Sequence, residues 1–265
     1  MLLPVNCGDD VPMGTIKILA AGKSSQAQAQ ARGKLFEKLM ADVLRQCGYS
    51  IDRIPSVNYA GMEIDIEGRG IATDVPLYAE CKCYETEIDA PKFQAFYGKY
   101  MTRWWKDHRC QGLFVALPGI NPHAKGFYQD NCEGKTDFTI RLLEEDRVLE
   151  TIVGLPKVAS PDTIAHATPG NTGSPGDWTL LYCDRGLFWV QYIVPLGGGI
   201  PRSVALFDSS GSILSDRSTV EYLTRLYPEL TDFEVVIPPL RGASSELPLH
   251  PPDAEEIVEV RGSSA

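Results

Sequence analysis

Two adjacent segments decide how this chain folds: Gly61-Met-Glu-Ile-Asp-Ile-Glu-Gly68 and Leu77-Tyr-Ala-Glu-Cys-Lys-Cys83. The turn between them is rich in residues that break regular structure, so the two segments are predicted to be neighbouring β-strands. Side chains two apart on a strand point to the same face, so Glu80 and Lys82 project together, and Asp65 meets them if the strands are neighbours. Two carboxylates beside one ammonium indicate a site for a divalent cation next to a nucleophilic water.

The cysteines that flank Lys82 are predicted to be buried. Cys81 and Cys83 point to the opposite face of the strand from Lys82. The seven cysteines of the chain are scattered and no C-x-x-C spacing occurs, which favours small apolar core residues over a disulfide framework or a zinc site. Free thiols fit a reducing compartment.

Composition and charge limit the possible functions. With 265 residues, of which 43% are hydrophobic, the chain is long enough for one large domain or for one ordinary domain and a small one. No apolar run approaches the length of a membrane helix, and Met1–Val5 is too short for a signal-peptide core, so we expect a soluble, cytoplasmic protein without a membrane partner. A net charge of −10 opposes non-specific binding to nucleic acid. Any nucleic-acid contact must therefore use a local basic surface or a partner.

A helix is predicted before the two strands, from Gln28 to Cys47, with Gly48 at its end. Its apolar residues fall on one stripe, and Glu37 lies at the edge of that stripe. A carboxylate in this position either reaches a neighbouring site or is an ordinary solvated glutamate. The spacing alone leaves both interpretations open.

A second helix follows the two strands and opens at Asp89, a suitable N-cap residue. One side is aromatic and apolar, and the stretch is the most basic of the chain. The cations that we expect to contact nucleic acid are Lys92, Lys99, Arg103 and Lys106. A solvated basic face is the plainer interpretation, but phosphate contact is favoured because the rest of the chain is acidic.

The remaining pattern predicts an α/β fold with helices packed on a mixed sheet. Strands are expected at residues 49–54, 113–117, 138–143 and 148–153, and a short helix at 123–131. These elements complete a first domain over residues 1–155. Residues 156–177 are predicted to be a linker, 178–238 a small C-terminal α+β module without catalytic residues, and 239–265 a disordered tail. The module's helix is expected to open with a capping box of Ser218 and Glu221.

In this order, Glu37, Asp65 and Glu80-Cys81-Lys82 resemble the PD-(D/E)XK nucleases of the restriction-endonuclease-like superfamily, and in particular the Mrr-like branch. The resemblance covers residues 25–155, including Gly33-Lys-Leu-Phe-Glu37 on the first helix and the basic helix after the Glu-x-Lys strand. One departure is the absence of a proline before the acidic residue of the first strand. Asp65 matches that position better than Glu63, although Glu63 faces the same way.

The resemblance implies a metal-dependent nuclease that hydrolyses phosphodiester bonds, in DNA rather than RNA. Asp65, Glu80 and the backbone carbonyl of Cys81 would bind Mg²⁺ or Mn²⁺, because hard oxygen ligands suit those cations. Lys82 would orient the attacking water or stabilise the phosphorus centre. Glu37 would act on the metal through its water shell or bind a second ion.

The resemblance also implies an effector of a bacterial anti-phage or restriction system. Its expected partners are further copies of the chain or a larger defence complex, with an NTPase among the candidates. The rival interpretation is a catalytically inactive nuclease-like fold that serves as a nucleic-acid-binding or assembly subunit. A third interpretation makes Glu80 and Lys82 a surface ion pair, but acidic residues on adjacent strands are destabilising without a cation.

Overall fold

The computed structural model describes residues 14–53, 64–170 and 173–237, which form two five-stranded mixed sheets and six α-helices. The strands are β1 (Gly14–Ile18), β2 (Tyr49–Arg53), β3 (Ile66–Gly70), β4 (Pro76–Cys83), β5 (Gln111–Leu117), β6 (Ile140–Leu143), β7 (Ser174–Cys183), β8 (Gly186–Val194), β9 (Ser203–Asp208) and β10 (Glu234–Val236). The helices are α1 (Ser25–Gln46), α2 (Ala90–Trp104), α3 (Pro122–Asn131), α4 (Glu145–Val153), α5 (Pro161–Ala167) and α6 (Arg217–Leu226), and a 3₁₀ turn covers Pro228–Asp232. The predicted α/β class is confirmed.

The first sheet, which we call sheet I, has the strand order β2-β3-β4-β5-β6. Its first three strands are antiparallel, and β4, β5 and β6 are parallel. The central strand β4 alternates as predicted: Cys81 is buried in the core on one face, and Cys83 packs against the same core. Glu80 and Lys82 therefore project from the other face.

Helices cover both faces of sheet I. On the face that carries Cys81, α1 and α4 lie between sheet I and the second sheet, and one core cluster joins Phe36 of α1 and Val148 of α4 to residues of both sheets. On the face that carries Glu80, α2 and α3 pack through an aromatic cluster that includes Phe93 and Phe114. Glu80 and Lys82 of β4 thus face α2.

The ends of α1 follow local chemistry. The Ser24 side chain accepts a hydrogen bond from the backbone N–H of Ala27 at 3.2 Å, which caps the N-terminus. The predicted stop at Gly48 is confirmed, because Gly48 follows the helix with a φ of 90°, a conformation that suits glycine.

The second sheet, which we call sheet II, has the order β1-β7-β8-β9-β10. Its first strand comes from the N-terminal part of the chain and pairs in parallel with β7. β7 and β8 form a hairpin that turns at Asp184-Arg185, where Cys183 pairs with Gly186. α6 packs on the outer face, where Leu223 is fully buried.

Three local predictions are wrong. Residues 148–153 form part of helix α4 and not a strand, because Val148, Leu149 and Ile152 make a one-sided helical stripe and Glu145 and Asp146 suit the helix N-terminus. The span predicted as linker contains α5, and β7 begins within it at Ser174.

The third error concerns α6, whose cap is Asp216 and not Ser218. The Asp216 carboxylate accepts hydrogen bonds from the backbone N–H groups of Ser218 and Thr219. The predicted domain boundaries remain a prediction, although β1, from residues assigned to the first domain, lies in sheet II. The predicted tail falls outside the described residues, as does Glu63. No helix in the described ranges is long and apolar enough to cross a membrane.

Candidate active site

Asp65, Glu80 and Lys82 meet where β3 begins beside β4. Asp65 falls in the segment predicted to be a strand, but β3 begins one residue later, at Ile66, which pairs with Ala79. The backbone N–H of Cys81 donates a hydrogen bond to Asp65 Oδ2 at 2.8 Å, which fixes the carboxylate against β4. The antiparallel register of the two strands therefore brings the acidic residues together across a gap in sequence.

Two ammonium groups hold the carboxylates. Lys82 Nζ lies 2.8 Å from Glu80 Oε1 and 3.3 Å from Asp65 Oδ2. Lys99 Nζ, from α2, lies 3.0 Å from Glu80 Oε1 and 3.3 Å from Glu80 Oε2. The Glu80 side chain is only 4% exposed, and those of Lys82 and Lys99 are 22% and 18% exposed. A nearly buried carboxylate is thus neutralised by two cations, as the cost of burying a charge requires.

The charges of the site shift the pKa values of its members. Burial raises the pKa of the Asp65 carboxyl, and the charge of Glu80 raises it further, while Lys82 opposes both. For Lys82, burial lowers the pKa, but the charges of Asp65 and Glu80 outweigh burial and the net pKa is raised. Lys82 is therefore a fixed cation at neutral pH.

Glu37 belongs to the same electrostatic site. Its side chain is half-buried on α1, between the fully buried Phe36 and Met40 of the same helix. Burial first, and then the charges of Asp65 and Glu80, raise the pKa of Glu37 from 4.5 to about 7. The spacing along the chain left two interpretations open, and the packing of α1 places Glu37 beside the site.

The donor chemistry of the site fits a hard divalent cation. The charge of Glu80 raises the pKa of Asp65, and the charges of Asp65 and Glu80 raise the pKa of Glu37; a bound cation would relieve this repulsion. Among the described residues, however, no group of three His, Cys, Asp or Glu side chains is arranged to hold a metal ion. Glu80 is instead bonded to Lys82 and Lys99. The roles of Asp65, Glu80 and the Cys81 carbonyl as ligands remain predictions.

The four cations predicted to contact nucleic acid lie in different surroundings. Lys99 points into the site, and Arg103, one turn later, binds Glu67 at 3.0 Å and lies over the ring of Tyr78. Lys92 pairs with Asp89 at 2.9 Å, and Lys106 is exposed beyond the end of α2.

Sequence reasoning missed the contact between Lys99 and Glu80. The signal was the position of Lys99 beside Phe96 and Tyr100, both fully buried, which turns that edge of the helix toward the sheet.

Comparison with known families places this site in context. Residues 29–152 match the family model Mrr_cat, a restriction endonuclease. The match contains Glu37, Asp65, Glu80, Lys82 and the whole of α2, and it confirms the resemblance to the Mrr-like nucleases. No curated protein matches the chain.

Three solved structures are similar to part of the chain. The EndoMS–dsDNA2 complex has 16% identity and a TM-score of 0.34 over 48% of this chain and 49% of that one. A repair endonuclease from Pyrococcus abyssi has 18% sequence identity and a TM-score of 0.31, and the match covers 48% of this chain and 50% of that one. The MspJI restriction endonuclease in complex with a 27-mer oligonucleotide has 16% sequence identity and a TM-score of 0.33. That match covers 52% of this chain and 36% of the MspJI chain. The similarity thus spans half or less of each of these chains.

Proposed function

Since residues 29–152 form a restriction-endonuclease-like domain of the Mrr type, we propose that the protein is a divalent-cation-dependent endonuclease that hydrolyses phosphodiester bonds in DNA. One observation carries this proposal. Asp65, immediately before β3, and Glu80, on the adjacent strand β4, share the ammonium of Lys82 at 3.3 and 2.8 Å. Two acids and one lysine in this arrangement, inside a match to a nuclease family, favour a catalytic role over a structural ion pair.

The chain's own residues supply most of the chemistry. Hydrolysis needs a nucleophilic water and donors for the charge that develops on the phosphate. A bound Mg²⁺ or Mn²⁺ would lower the pKa of a water and neutralise that charge. Asp65, Glu80 and the Cys81 carbonyl would hold the cation. The Lys82 ammonium, kept protonated by its acidic neighbours, would orient the water or donate to a phosphate oxygen.

From helix α1, Glu37 would form hydrogen bonds with water in this site. Its pKa of about 7 means that its carboxyl is partly protonated near neutral pH, so it can either accept a hydrogen bond from a site water or donate one. The cations that we propose contact the DNA backbone are Lys92, Lys99, Arg103 and Lys106. They support the proposal because they form a local basic stretch in a chain whose net charge is −10.

The biological setting that we propose is a bacterial anti-phage or restriction system in the cytoplasm. This part rests on the Mrr-type family match and on the accessory sheet II. The nuclease would act as a homo-oligomer or within a larger complex, with an NTPase as one candidate partner. A fully active, monodisperse monomer in sedimentation velocity would contradict the assembly.

A cleavage assay tests the proposed activity. Supercoiled plasmid, linear duplex, single-stranded DNA and RNA are incubated with the protein in Mg²⁺, Mn²⁺ or a chelator. We expect metal-dependent DNA cleavage that Lys82→Ala or Asp65→Ala reduces by about 100-fold or more, with an unchanged circular dichroism spectrum. Lys157→Ala, which removes an exposed lysine after α4, is the matched control and should cleave like wild type. Full activity in the Asp65→Ala/Lys82→Ala double variant would refute the mechanism, and DNA binding without cleavage by wild type would favour an inactive binding subunit.

A further inference from the structure

The segment that follows α2, residues 104–109, presents aromatic rings to solvent. Trp105 is 68% exposed, and His108 is exposed beside it. A tryptophan side chain carries a large apolar surface, so leaving two thirds of it in water forgoes a substantial gain from burial. We call Trp104, Trp105 and His108 the aromatic platform.

The platform is anchored to the fold. The Trp104 indole N–H donates a hydrogen bond to the backbone carbonyl of Asp137 at 2.7 Å, and its ring packs edge-on against Phe138 with centroids 5.5 Å apart. The rings of Trp105 and His108 lie 5.2 and 4.2 Å from the ring of Trp104. His108 Nδ1 also lies 2.8 Å from the Trp104 carbonyl. The exposed rings therefore stand on a fixed base and lose little conformational entropy on binding a flat ligand.

Cations surround the platform. Lys106 is exposed next to Trp105, and the Arg109 side chain is 67% exposed while bonded to Asp107. Arg103, the residue before Trp104, is bonded to Glu67 and lies over Tyr78 on the side of sheet I. Aromatic rings beside cations fit a nucleotide, which offers a ring to stack and a phosphate to pair.

The same helix joins the platform to the candidate active site. Lys99 contacts Glu80, and Trp105, whose backbone is still helical, is six positions after Lys99. Over these six positions the helix rises about 9 Å along its axis and turns by about 240°, so the two side chains leave α2 on different sides.

We propose that Trp105, supported by His108 and Lys106, stacks on an unpaired base of the DNA strand that passes the candidate active site. The inference rests on the proposed nuclease function and adds the substrate class. Bases within an intact duplex have no free face to offer, so the protein should prefer single-stranded DNA, a frayed end or a strand with a displaced base.

Binding measurements on the full chain test the platform. Fluorescence anisotropy with a chelator present compares a labelled single strand of about 16 nucleotides with its duplex. We expect wild type to bind the single strand more tightly, and Trp105→Ala to weaken that binding about tenfold while duplex binding changes little. Trp105→Phe should retain most of the affinity, because a phenyl ring still stacks. Leu196→Ala, which trims a side chain that is 82% exposed in the β8–β9 loop, is the control and should bind like wild type.

Two outcomes would overturn the inference: unchanged single-strand binding in Trp105→Ala, or equal losses for single strand and duplex. Hydrolysis of bis(p-nitrophenyl) phosphate, a diester too small to reach the platform, separates this inference from the proposed activity. Trp105→Ala should hydrolyse it like wild type, and a loss there would show that Trp105 acts on the active site. If wild type hydrolyses no diester but Trp105 still selects single strands, the nuclease proposal fails and the stacking site stands.

Discussion

Replacing Glu37 by glutamine should stabilise the fold above neutral pH. Burial and the charges of Asp65 and Glu80 raise the pKa of Glu37 from 4.5 to about 7. The folded state therefore holds a proton that the unfolded state releases between these two values, and stability falls as pH rises through that window. Below about pH 4.5 the contribution vanishes, because both states are protonated. Glutamine mimics the protonated form and removes the penalty.

The size of the effect follows from the pKa and from the exposure of the side chain. If water did not screen the carboxylate, a pKa that rises from 4.5 to about 7 would lower the free energy of unfolding by about 3 kcal/mol above neutral pH. Because Glu37 is only half-buried, water screens part of this energy, and we expect Glu37→Gln to gain about 1–2 kcal/mol at about pH 8.

Urea unfolding followed by circular dichroism measures this gain at about pH 4 and about pH 8, with a chelator present. Glu150→Gln is the matched control, because Glu150 lies on the exposed side of α4 and is paired with Arg147 at 2.6 Å. That variant should change stability by less than about 0.5–1 kcal/mol at either pH. If Glu37→Gln is no more stable than wild type at the higher pH, or if its stability depends on pH as wild type's does, Glu37 does not face the acidic site.

Three further predictions test other parts of the molecule. Lys99→Met should bind Mg²⁺ at least about tenfold more tightly than wild type in calorimetry, because no ammonium from Lys99 then contacts the two Glu80 oxygens. An affinity equal to or weaker than that of wild type would contradict competition between Lys99 and Mg²⁺ for Glu80. Leu223→Ala should lower the unfolding free energy by about 2–5 kcal/mol, because the side chain is fully buried under sheet II; a smaller loss would mean that α6 is loosely packed. Asp216 accepts hydrogen bonds from Thr219 and Ser218, which lower its pKa from 3.8 to about 2. The cap therefore contributes stability above pH 3.8, which is lost as pH falls through about 2, so the thermal midpoints of wild type and Asp216→Ala should converge on acidification, and a constant gap would refute this.

Secondary structure was predictable wherever the pattern of side chains within one element was regular. The alternation of β4 placed Glu80 and Lys82 on one face and Cys81 on the other, and the structure agrees. The stop at Gly48 and the hairpin at Asp184-Arg185 also follow from local backbone preferences. The short apolar run at residues 148–153 fits both a strand and a helix, and the wrong choice was made there.

The sequence by itself indicated the resemblance to the Mrr-like nucleases, which the match of residues 29–152 confirms. It also determined the helix-strand-strand-helix order and the shared face of Glu80 and Lys82 on β4, because these depend on spacings of about 3.6 and of two residues. Tertiary structure alone decided which elements meet. Packing of α2 over β4 brought Lys99 to Glu80, and packing of α1 brought Glu37 to the same carboxylates. The tertiary structure also pairs β1 with β7, and there the hydroxyls of Thr15 and Thr179 are 2.9 Å apart. Local spacing fixes where a side chain points, but contacts between distant segments arise only when the whole chain buries its apolar surface.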